Sequence, residues 1–97
     1  MASSARSAQF LLESRLAGAA KGDVNAYFDL GVAFSCGTDV DVDLIEAHKW
    51  FNLAAITGHE EAQACRAEVA EEMTAREIAE AQRQARAWIA LGTLRAA

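Results

Sequence analysis

Three glycines divide this chain into alanine-rich runs. Gly22, Gly37 and Gly58 stand at the ends of apolar stretches, and the chain contains no proline. Glycine enters the left-handed backbone region at little cost, so it suits the residue just past a helix C-terminus. The stretches between these marks carry apolar residues at helical spacing, and only the short VDVD piece at 40–43 alternates as a strand would. The chain therefore reads as all-α, with helices expected at 7–21, 24–36, 44–57, 60–72 and 75–94. Connections of roughly 2–8 residues between helices imply antiparallel neighbours. The expected architecture is a stack of antiparallel helical hairpins, a short α/α superhelix, formed by the 97 residues as a single domain.

The helix starts are written in polar residues. Asp23 and Asp43 are expected N-caps, because a short carboxylate there accepts otherwise unpaired amides. Asp43 with Glu46 has the D-x-x-E form of a capping box, and Thr74 with Glu77 is a capping box proper. On the first helix, Phe10, Leu12, Leu16 and Ala20 are expected to face a core; on the last, Ile78, Ala81, Ala85, Trp88 and Ile89. Packing between hairpins is assigned to Leu30, Phe34, Trp50, Phe51, Val69, Ile78 and Trp88.

The halves of the chain align on themselves. Asn25-Ala26-Tyr27 matches Glu61-Ala62-Gln63 at an offset of 36, and Leu44-Ile45-Glu46-Ala47 matches Ile78-Ala79-Glu80-Ala81 at 34. A period near 35 residues with two helices per unit is the signature of tetratricopeptide-like arrays. The segments NAYFDLGVAF and DVDVDLIEAHKWFNLAAITGHEEA resemble a Sel-one-like repeat, an α/α repeat related to that class. The matching positions are Ala26, Leu30, Gly31 and Phe34 on one helix, Gly37 and Asp43 in the loop, and Ala47, Trp50, Ala54, Ala55 and Gly58 on and after the next. Residues 24–58 carry the full pattern. Residues 59–94 look like a degenerate closing unit, with Arg66-Ala67 in place of Leu-Gly and Gln84 in place of the tryptophan; residues 7–21 look like a lone leading helix. The resemblance implies packing roles for these positions and an adaptor or scaffold role for the protein.

Charge is unevenly placed along the chain, whose net charge is −5. Residues 23–72 carry eleven acids against Lys49 and Arg66, whereas basic residues prevail before and after. An acidic middle argues against nucleic-acid binding and favours a protein partner with a basic surface. Residues 73–88 begin like a helix-turn-helix element, but no turn and recognition helix follow. The adjacent pairs Glu60-Glu61 and Glu71-Glu72 diverge around a helix rather than converging on a substrate.

Asp39, Asp41 and Asp43 have the alternate spacing of a calcium loop. Leu44 occupies the place of its turn glycine, and Trp50 that of its closing glutamate, so no metal site is assigned. No cofactor is expected. Cys36 and Cys65 form no zinc or disulfide framework, which fits a reducing, cytoplasmic compartment. Glu13 and Arg15 interrupt any secretory leader, and no apolar run approaches the roughly 20 residues of a membrane span.

The function expected is therefore a non-catalytic protein-interaction module. Its partner would meet the face around Tyr27 and Asn52, or the loop acids Asp39 and Asp41; a second copy would pair through an end helix, by Phe10 and Leu11 or by Trp88, Ile89 and Leu91. The alternative is a hydrolytic or ligand site in the crevice between hairpins.

Overall fold

A computed structural model describes the backbone of residues 2–96 and the side chains of residues 6–92. The described chain is all-α: α1 (Ala2–Ala20), α2 (Val24–Cys36), α3 (Leu44–Ile56), α4 (Glu60–Ala70) and α5 (Ala75–Ala96). It is a stack of helical hairpins with α3 at its centre. α3 packs against α2, α4 and α5, while α1 lies on α2.

The boundary glycines sit where left-handed backbone is needed, with φ of +82° at Gly22, +71° at Gly37 and +102° at Gly58. At Gly37 the amide donates to the Ala33 carbonyl and closes α2. The starts also follow the polar code. Asp23 accepts from the Asn25 amide at 2.9 Å, and Asp43 from the Glu46 amide at 3.1 Å. Thr74 and Glu77 form the complete reciprocal box, at 2.8 and 3.1 Å. Asp43 and Glu46 form only half of one. The Asp43 amide donates to the Phe34 carbonyl across the hairpin, and the Glu46 carboxylate is drawn to Lys49 and Trp50.

Several helix ends differ from expectation. α1 begins at Ala2 rather than Ser7, because the Ala- and Ser-rich start contains nothing that breaks a helix. α3 stops at Ile56, with Thr57 folding its hydroxyl back onto the Leu53 and Ala54 carbonyls. α4 stops at Ala70, where the Glu72 and Met73 amides tighten onto carbonyls three residues back. α5 runs on to Ala96.

The core is built from α2 and α3. Leu30, Ala47, Trp50, Phe51, Leu53 and Ala54 are all buried, with Phe34 and Trp88 packed partly buried against them. Small residues set how closely the helices approach. A Cβ added at Gly31 would lie 2.5 Å from the Phe51 ring, so that ring occupies the space a side chain would take. Gly18 does the same between α1 and α2, where an added Cβ would meet that of Ala26 at 2.9 Å. That close crossing turns the Leu12 and Ala19 side of α1 inward. Phe10, Leu16 and Ala20, expected to face the core, point away, with Phe10 70% and Leu16 38% exposed; Ile89 of α5, also expected inward, is 43% exposed.

The second pair of helices is not a copy of the first. α5 packs its Ala81 and Ala85 side toward the core and lies against α3, with far less contact to α4. α4 buries only Ala62 and Val69.

Candidate interaction surfaces

Tyr27, offered by the sequence as part of a docking face, is buried instead. Its ring stacks on Trp50 with centroids 5.9 Å apart, and Trp88 meets Trp50 edge-on at 5.0 Å. The Tyr27 hydroxyl accepts from the Trp88 indole N–H at 3.3 Å, joining α2 to α5. Three aromatic rings from three helices thus form one cluster, and each polar atom in it has a partner. The Trp50 indole N–H donates to Glu46 at 2.9 Å, and the Lys49 ammonium lies 4.6 Å from the Trp50 ring centroid. The sequence signal for this burial was already present, since Tyr27 lies beside Ala26 in the apolar stripe of α2.

Asn52 is half-buried and accepts a hydrogen bond from the Arg66 guanidinium of α4. Arg66, which aligns with Leu30 at the offset of 36, reaches back across the α3–α4 seam through this contact. One turn earlier on α3, His48 is buried at 3% exposure, and its Nδ1 has no hydrogen-bond partner. Burial lowers the pKa of His48 from the usual histidine value, and the nearby Arg66 charge lowers it further. The sequence reading did not place His48 in the core. Its position one residue after Ala47 on a wide apolar face was the available signal.

Asp39 and Asp41 are exposed in the α2–α3 loop. Asp39 serves the turn itself. Its φ is +64°, and Asp tolerates the left-handed region better than most side chains. Asp41 stays at the surface. Among the described residues no three of His, Cys, Asp and Glu converge as ligands for a metal ion. Cys36 is exposed and Cys65 half-buried, both as free thiols. Burial raises the pKa of the Cys65 thiol, and the charges of Glu61, Glu68 and Cys36 add to the shift.

Apolar surface reaches solvent singly at Val32, Val42 and Ile56 and in groups on the end helices. On α1, Phe10, Leu11 and Leu16 are 70%, 42% and 38% exposed. On α5 the inward stripe of Ala81, Ala85 and Trp88 continues past the body of the protein. Gly92 falls on the same face, at the spacing 81, 85, 88, 92, and an added Cβ there would meet nothing within 4 Å. Leu91 beside it is 44% exposed. Among the described residues no helix is long and apolar enough to cross a membrane.

No family model, curated protein or solved structure matches this chain.

Proposed function

We propose that the chain is a non-catalytic protein-interaction module of the Sel-one-like type, working through its end helices. The observation that carries this reading is the placement of Phe10 and Leu11 in solvent on α1, a helix whose opposite side is already used against α2. Large apolar side chains grouped on an end helix mark contact surfaces. The face around Tyr27 and Asn52 is spent on internal contacts, so docking shifts to the ends, with the basic-partner role left to the loop acids Asp39 and Asp41. At the α3–α4 seam Arg66 is likewise committed to Asn52, and among the described residues no nucleophile–base pair is formed there; this favours the module over a hydrolytic site. Free Cys36 and Cys65 support a reducing, cytoplasmic setting.

The test compares the whole chain with Phe10→Ser/Leu11→Ser, by light scattering over a concentration series and by affinity capture from the source cell. The expected result is a dimer, or one stoichiometric captured protein, that the double substitution abolishes. A strict monomer that captures nothing and scores in hydrolase screens would reverse the reading.

A further inference from the structure

The chain has two histidines, and both bear on α4. His59 caps the helix: its Nδ1 accepts from the Ala62 amide at 3.2 Å, and its ring stacks on Phe28 of α2 with centroids 4.1 Å apart. A protonated Nδ1 has no lone pair, so this cap exists only with a neutral imidazole. A positive charge at a helix N-terminus also opposes the helix dipole. His48 lies on α3 one turn before Asn52, the residue that holds Arg66 of α4; it is buried, its Nδ1 has no partner, and Arg66 is the charged group acting on it. Protonation there would set two cations together in a poorly solvated seam.

The surrounding charges do not rescue either ring. The charged group acting on His48 is Arg66, and the α3 neighbours of His48, Glu46 and Lys49, pair with each other at 3.0 Å. Near His59 the exposed carboxylates are Glu60 and Glu61 of α4 and Asp29, which follows Phe28. They attract an imidazolium, but attraction does not restore the lone pair that caps α4. α4 has little else to hold it. Its buried residues are Ala62 and Val69, and α3 is its one extensive neighbour.

We propose that α4 is an acid-released flap, held at the α3 seam beside buried His48 and on Phe28 of α2 through the His59 cap, while the aromatic cluster of α2, α3 and α5 stays packed. The direction follows from linkage. The His48 pKa is lowered on folding, so the unfolded or opened form takes up the proton first. Attachment is therefore strongest above the ordinary value of 6.5 and is lost as the pH falls below it, until the folded group protonates as well.

The experiment is amide hydrogen exchange by NMR on the whole chain at about pH 7.5 and about pH 5.5, a range that brackets ordinary histidine titration. Rates are expressed as protection relative to the intrinsic exchange rate at each pH. The α4 amides should lose protection by up to about tenfold, the factor by which an opened histidine of ordinary pKa favours the proton one pH unit below that value, while those of Leu30 and Phe51 hold. The double variant His48→Gln/His59→Asn should remove the difference, since neither replacement titrates and Asn is itself a good N-cap. Equal loss over the whole chain, no loss in α4, or an undiminished loss in the double variant would each overturn the proposal. Should that variant fail to fold, the His48 ring signal of the native chain decides. Its titration must track the loss of α4 protection, and separate midpoints refute the flap.

Discussion

Glu46, Lys49 and Trp50 of α3 have counterparts 34 residues later, in Glu80, Arg83 and Gln84 of α5. The hydrogen bonding is nearly the same in both. Glu46 accepts from Lys49 at 3.0 Å and from the Trp50 indole at 2.9 Å; Glu80 accepts from Arg83 at 2.8 Å and from Gln84 at 3.1 Å. The bonds to Arg83 and Gln84 hold the Glu80 carboxyl down to about 2, in that order of effect. The surroundings differ. The Lys49 side chain is 13% exposed and lies over the ring of Trp50 in the buried aromatic cluster; the Arg83 side chain is 61% exposed. Spacing of three and four along any helix suffices to bring such groups together, so the polar pattern needs no tertiary contact to survive. The tryptophan does need one. The polar part of the pattern thus recurs in α5, while the part that fills a core remains only in α3.

The comparison can be broken by truncating both counterparts. Trp50→Ala should cost about 3–5 kcal/mol, since it empties a fully buried site shared with Tyr27 and Trp88. Gln84→Ala should cost less than about 0.5 kcal/mol, as it removes one partly exposed helix-surface bond. Urea denaturation measures both. Similar midpoints for the two variants would show that α3 holds no privileged place.

A second contrast concerns small residues. Gly31 of α2 corresponds to Ala67 of α4 at the offset of 36. Gly31→Ala places a methyl against the Phe51 ring, 2.5 Å from its nearest carbon, and should destabilise by about 1–3 kcal/mol through overpacking. Ala67 is exposed and already carries its methyl. Ala67→Gly should cost only the helix propensity of about 1 kcal/mol. A stabilising Gly31→Ala in thermal denaturation would mean that α2 and α3 approach less closely than described.

What could be read from the sequence divides along the same line. Caps and stops are local chemistry, so Asp23, Asp43, Thr74 and Gly37 placed their helix ends correctly. Burial on a helix with neighbours on several sides was also legible, because Leu30, Trp50 and Phe51 lie on stripes too wide to be left in water. The face of α1 was not. A helix resting on one neighbour can be rolled by a single close contact, and Gly18 against Ala26 turned Phe10 outward. The Arg66–Asn52 bond was hidden for a related reason. It depends on how α4 crosses α3, and no local pattern encodes that crossing.

A substitution of opposite sign separates the end of α5 from its packed part. Gly92 continues the inward stripe, yet an added Cβ would meet nothing within 4 Å. In the free chain, Gly92→Ala should therefore act through backbone entropy alone and stabilise the helix by about 0.5–1 kcal/mol. It would raise the thermal midpoint by a few degrees, the usual scale for a domain of this size. The same methyl meets a different environment if this face is covered by a partner. A glycine at a helix crossing permits close approach, and an alanine would then weaken association while still stabilising the monomer. Melting and association measured on the one variant thus report on two different surroundings of residue 92. A higher midpoint with unchanged association leaves the overhang outside any contact and returns the docking surface to α1.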